Sequence, residues 1–157
     1  MRYTVRKMDK SEYPLLNDFL YQAIFIPEET AAPAYDIIYQ PELQVYTQDF
    51  GSSEHDIAFA AVCDDKIVGA VWVRIMEDYG HIDNATPSFA ISLLPGSRGK
   101  GIGTELMSTM LNELKVRGYA QASLAVQKEN YAVRMYLKLG FTICGENDEE
   151  YIMLYRF

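Results

Sequence analysis

The chain is poor in the residues that build metal and redox sites. Its 157 residues hold two cysteines, Cys63 and Cys144, and two histidines, His55 and His81. Zinc centres gather several such ligands at close spacing. These four form no such set, so no metal is expected. Each cysteine lies inside an apolar segment and is expected to be a buried small hydrophobe rather than half of a disulfide. No stretch approaches the roughly 18 apolar residues that cross a bilayer. Met1 to Val5 lacks the apolar region of a secretory signal, so the expected setting is the cytoplasm, with no membrane partner. Bases are also scarce, 14 against 22 acids, for a formal charge of −8. That balance repels polyanions and argues against nucleic-acid binding. It suits a cationic partner, although solubility alone accounts for it equally well.

The length is that of one ordinary domain, and 1–157 is taken as such, with enough chain to bury a core without staples. Tyr3–Met8 alternates as a strand. Asp9 or Ser11 then caps a helix whose Tyr13, Leu15, Leu16, Phe19, Leu20 and Ala23 share one face, with Pro27 as its stop. Short helical stretches are expected around 34–39 and 41–48, and Phe25, Tyr35, Tyr39 and Tyr46 are expected to pack in the core. Ile57–Cys63 and Ile67–Met76 flank Asp64-Asp65-Lys66 as a hairpin, and Ser88–Leu94 is the next strand. From Thr104, the residues Leu106, Met107, Met110, Leu111 and Leu114 mark a helical face that Gly118 ends. Ala122–Val126 is a buried strand, Asn130 caps a helix running to Leu139, and 141–145 and 151–157 form a final strand pair. This order gives an α/β fold, a mixed sheet with helices on both faces.

The junction after Ser88–Leu94 carries the chemistry. Arg98-Gly99-Lys100-Gly101-Ile102-Gly103-Thr104 places three alternate glycines between a strand and a helix. A loop bare of Cβ atoms approaches phosphate closely, and the following helix adds unpaired N–H groups and the positive end of its dipole. The segment therefore reads as a pyrophosphate cradle, with Arg98 and Lys100 adding charge. A dinucleotide fingerprint fails because Thr104 stands where the third glycine belongs. A Walker loop fails because Ile102, not lysine, follows Gly101.

What remains is R-x-x-G-x-G, formed by Arg98, Gly101 and Gly103, with Pro95 upstream. Downstream follow Leu124-Ala125-Val126-Gln127-Lys128-Glu129-Asn130, then Ala132-Val133-Arg134-Met135-Tyr136 and Leu139-Gly140-Phe141. In both motifs and their order the chain resembles the GNAT superfamily of acetyl-CoA-dependent N-acetyltransferases, best over about 57–145.

The resemblance implies a central sheet of about six to seven strands with helices on both faces. It implies acetyl-CoA as cosubstrate, held by the amides from Arg98 to Thr104 and by Asn130. Exposed backbone at Leu93 and Leu94 would pair with the pantetheine arm, and an N–H near Leu93 would meet the thioester oxygen. Tyr136 matches the family's tyrosine, which makes it the candidate general acid for the departing thiolate and a cofactor contact. The acceptor would be a primary amine of a small molecule, peptide or protein, in a pocket that the resemblance allows Phe25, Tyr35, Tyr39 and Tyr46 to line, and a homodimer stays open. Many relatives carry a glutamate on the strand before the loop, whereas Ser88–Leu94 has no acid. Glu77, Asp78, His81 and Asp83 in the preceding loop, or water, remain as routes for deprotonation. The missing acid is also compatible with a non-catalytic acyl-CoA sensor of the same fold.

Overall fold

The computed structural model describes residues 2–157. Its strands are β1 (Thr4–Lys7), β2 (Ile57–Cys63), β3 (Lys66–Arg74), β4 (Ser88–Leu93), β5 (Gln121–Gln127), β6 (Thr142–Glu146) and β7 (Glu150–Arg156). The helices are α1 (Leu16–Ala23), α2 (Pro41–Gln44), α3 (Ile102–Val116) and α4 (Ala132–Leu139). The strands form one seven-stranded sheet in the order β1-β2-β3-β4-β5-β7-β6. All neighbours are antiparallel except β4 and β5.

Alternation along the strands gives the sheet two buried faces. On β3, Ala70 and Trp72 pack with Leu16, Phe19, Leu20 and Ile38 beneath α1. Val71 and Val73 point the other way, into a core with Leu106, Met107, Met110 and Leu114 of α3 and Phe141 beyond α4. Asp64 and Asp65 both take positive φ, 51° and 62°, the geometry of the tight two-residue turn that matches strand twist between β2 and β3. Arg74 closes the other end of β3 with a pair to Asp56 at 3.1 Å, its side chain 10% exposed and that of Asp56 1%.

Three expectations are corrected. The helix anticipated from Asp9 or Ser11 begins as a tight 3-10 segment, Lys10–Leu15, because Pro14 lacks the N–H that an α-helix interior needs. Leu15 is thereby turned outward, 40% exposed. The α-helix then ends at Ala23, ahead of Pro27. Cys144 is exposed rather than buried. On the edge strand β6 it is the extra residue of a bulge, between Ile143 paired with Met153 and Gly145 paired with Ile152.

Candidate active site

Strands β4 and β5 touch in register at a single pair, Ser88 with Ser123, and then part. The Ser123 N–H reaches the Pro87 carbonyl at 3.0 Å, and no residue of β4 after Ser88 stands in register with one of β5. The Leu94 N–H donates to the Val68 carbonyl at 2.8 Å, so the even-numbered residues of β4 turn their backbone groups toward β3. Those of Ile91 and Leu93 consequently face the gap. This open edge runs into a cleft of about 620 Å³.

The cleft's far wall begins at the N-terminus of α3. Gly101 is its cap, with φ of +83°, and Gly99 before it stands at +75°, a left-handed turn that glycine makes without a Cβ penalty. The N–H groups from Gly99 to Thr104 find no acceptor among the described residues. A row of unpaired donors at a helix N-terminus is an anion site of the kind a pyrophosphate fills.

Of the residues expected from sequence, Leu93, Arg98, Gly99, Gly101, Gly103, Thr104, Asn130 and Tyr136 line this one cleft. The other three stand differently. Lys100 is exposed and does not line the cleft. Ile102 buries its side chain in the α3 core and offers only its N–H. Leu94 has both backbone groups occupied, its N–H by Val68 and its carbonyl by the Ser97 N–H at 2.9 Å, so the free edge belongs to Ile91 and to the N–H of Leu93, whose carbonyl accepts from Arg98 Nε. Alternation along β4 was the signal for Ile91, two residues from Leu93.

Arg98 is the one charged side chain lining the cleft among the described residues. It donates to the carbonyl of Leu93 at 3.2 Å and to the carbonyl and side-chain oxygen of Gln22 at 3.3 Å. Its guanidinium thus ties β4 to the end of α1 while holding positive charge beside the glycine loop. Asn130 uses its side-chain oxygen to accept the Ala132 N–H at 2.9 Å, which starts α4. Tyr21, Ile24 and Ile26, at the end of α1 and just after it, complete a wall of the cleft that no local pattern announces. Phe25 lies in that wall, whereas Tyr35 and Tyr39 are 42% and 59% exposed.

Tyr136 is 7% exposed, packed at a ring-centroid distance of 5.9 Å from Phe141, and its hydroxyl has no hydrogen-bond partner among the described residues. Burial pushes its pKa well up, so the phenol stays protonated through the neutral range. In the β3–β4 loop, Glu77 is exposed and Asp83 is spent on its own turn, accepting from Ala85 N–H and Thr86 Oγ1. His81 lies 3.9 Å from Glu77. Asp78 turns inward: Ser88 Oγ donates to it at 3.1 Å and the Tyr46 hydroxyl at 3.3 Å.

The sequence model of the acetyltransferase (GNAT) family matches residues 21–141, and the chain belongs to that family. It is 30% identical over 156 residues to a mycothiol acetyltransferase of Streptomyces scabiei, covering 90% of this chain and 48% of that protein. The mycothiol acetyltransferase of Streptosporangium roseum is 34% identical over 80 residues, 50% of this chain and 24% of that protein. The chain thus spans at most about half the length of these relatives. In fold it is similar to the PaiA N-acetyltransferase of Thermoplasma acidophilum, solved with coenzyme A, at a TM-score of 0.73 and 18% identity over 100% of both chains. The ribosomal-protein-S18-alanine N-acetyltransferase of Escherichia coli superposes at 0.68 with 17% identity, covering 99% of this chain and 94% of that one.

Proposed function

We propose that residues 1–157 act as one domain that transfers the acetyl group of acetyl-CoA to a primary amine. The observation that carries this reading is the pairing of two backbone surfaces in one cleft, the N–H row from Gly99 to Thr104 and the edge formed by Ile91 and the Leu93 N–H. The first suits a pyrophosphate and the second an extended amide-bearing arm that adds to the sheet as a strand. The arm's thioester then lies near the Leu93 N–H, whose hydrogen bond strengthens as the carbonyl oxygen becomes an oxyanion.

Tyr136 is the general acid in this scheme. A phenol ordinarily titrates near ~10 and a thiol near ~8.5, and burial raises Tyr136 further. The same desolvation acts on a thiolate leaving inside the cleft and raises its own proton affinity. Transfer from the hydroxyl to sulfur therefore stays accessible. The acceptor is a small-molecule or peptide amine. No helix among the described residues is long and apolar enough to cross a membrane.

Calorimetric titration with CoA, followed by thiol release from acetyl-CoA with a panel of amines, tests this function. The expected outcome is saturable CoA binding with a rise in melting temperature, since ligand at a hundredfold its Kd adds about 2.7 kcal/mol. Absence of CoA binding overturns the proposal. CoA binding with no turnover of any amine favours the acyl-CoA sensor, the reading that the acid-free β4 supports.

A further inference from the structure

The cleft opens through the sheet. On β4, Ile91 and Leu93 turn their side chains into the α3 core, whereas Ala90 packs beneath α1 and Ser92 Oγ donates to the Phe19 carbonyl of α1 at 2.6 Å. Where β4 and β5 part, both faces therefore meet one space. Gly103, Met135 and Tyr136 line it from the side of α3 and α4, and Tyr21, Ile24 and Ser92 from the side of α1. The phenol that serves the leaving sulfur and the helices around it occupy the first side. The α1 side is the one left for an attacking amine.

That side is apolar. Ile24, Phe25, Ile26 and Ala32, all in the segment after α1, line it. Ile26 is 41% exposed, a large hydrocarbon side chain turned to an open cleft. The polar atoms beside these residues are already engaged. The Tyr21 hydroxyl donates to the Pro33 carbonyl at 2.6 Å, which ties the two ends of the segment together. Ser92 Oγ is taken by Phe19, and the Gln22 side-chain oxygen accepts from Arg98 at 3.3 Å.

The charge in the cleft has the opposite sign to that of the whole chain. Among the described residues, no aspartate or glutamate lines it, and Arg98 is its one charged side chain. The N-terminus of α3 adds positive potential. A chain of formal charge −8 thus presents a locally positive cleft, and the cationic partner that the net charge suits finds no counter-ion there. A charged group set against Ile24, Phe25 and Ile26 loses its water without gaining a partner. A hydrocarbon in the same place removes apolar surface from water.

We infer that the acceptor is a primary amine borne on an uncharged hydrocarbon chain or ring, received by the wall of Ile24, Phe25, Ile26 and Ala32, and that amines with a second charge at the far end are rejected. This rests on the acetyltransferase function proposed above, and names the acceptor class within it.

Three amines of similar reach test it. Hexylamine and 1,5-diaminopentane share the reacting amine and the length, and differ by a methyl against an ammonium at the far end, while 6-aminohexanoate ends in a carboxylate. Thiol release is followed at neutral pH with saturating acetyl-CoA. For the parent protein, kcat/KM for hexylamine should exceed that of each charged-ended amine by about a hundredfold, chiefly through KM. Ile26→Asp places a carboxylate on the half-exposed part of the wall and should narrow the preference for hexylamine over diaminopentane by about tenfold or more. Because a ratio is read, any effect on acetyl-CoA common to both amines cancels. Should Ile26→Asp not fold, Ala32→Asp, at an exposed position of the same wall, is read in its place. Equal turnover of the three amines, a preference for either charged end, or an unmoved ratio in the aspartate variant overturns the assignment. A parent that acetylates other amines but not hexylamine overturns it too, whereas one that binds no CoA, or acetylates no amine, fails the acetyltransferase reading first.

Discussion

The guanidinium of Arg98 donates through Nε to the carbonyl oxygen of Leu93 at 3.2 Å, while its terminal nitrogen reaches Gln22 at 3.3 Å. One side chain thereby fixes the end of β4, the end of α1 and the start of the glycine loop. Lysine carries the charge but not the planar fork. Arg98→Lys and Arg98→Ala should both weaken CoA binding by tenfold or more, about the worth of a hydrogen bond to a charged group. The melting temperature of the free protein should move little, because the side chain is exposed. Calorimetry on the three proteins checks this, and a lysine variant with parental affinity would show that charge alone suffices.

Gly101 separates two effects that one substitution usually mixes. A Cβ there meets no atom within 4 Å, so Gly101→Val creates no clash, but φ of +83° strains any other residue. The backbone penalty is about 1–2 kcal/mol. The new side chain also stands over the N–H row. The variant should fold with a modestly lower melting temperature and lose most of its CoA affinity. Retained affinity in a folded Gly101→Val protein would remove the glycine loop as the pyrophosphate cradle.

Removing only the Tyr136 hydroxyl leaves the ring against Phe141 in place. Tyr136→Phe should keep CoA affinity and slow the chemical step by roughly ten- to a thousandfold. Single-turnover acetyl transfer, where product release does not intrude, is the measurement. Full turnover would mean that water or the acceptor's own proton serves the thiolate. A joint loss of folding and binding would make the residue a packing element.

The start of the chain holds a pH-dependent contact. Arg6 pairs with Glu12 through two hydrogen bonds, at 2.8 and 2.9 Å, and the Asp9 N–H donates to the same carboxylate at 2.8 Å. Together they lower the Glu12 carboxyl to about 2. A carboxyl depressed in the folded state adds stability above its unfolded pKa, near ~4.3, and loses it as pH falls through the folded value. Glu12→Gln should therefore melt lower than the parent at neutral pH, with the gap closing as pH drops from above the unfolded value toward about 2. Side-chain exposure of 43% at Arg6 keeps the effect small and sensitive to salt. A gap constant with pH would assign the loss to geometry rather than to the charge.

The sequence by itself determined everything that repeats with a local period or turns on a single backbone demand. The face of α3 from Leu106 to Leu114, the β2–β3 hairpin, the glycines that cap α3 and Asn130 at the start of α4 are each written within a few residues. The tertiary structure decided what depends on distant partners. That β4 and β5 meet only at Ser88 and Ser123 is fixed by residues 35 positions apart, and no local pattern encodes where such a pairing stops. Leu94 looked as available as Leu93 until the bond to Val68 set the parity of the strand. Cys144 reads as core by composition, but the bulge on an edge strand turned it outward. Of Glu77, Asp78, His81 and Asp83 in the β3–β4 loop, Asp78 takes hydrogen bonds from the hydroxyls of Ser88 and Tyr46, on β4 and after α2, a placement that no local pattern encodes. A side chain's chemistry is carried by its own residue, whereas its burial and its partners belong to whichever segments the fold lays against it.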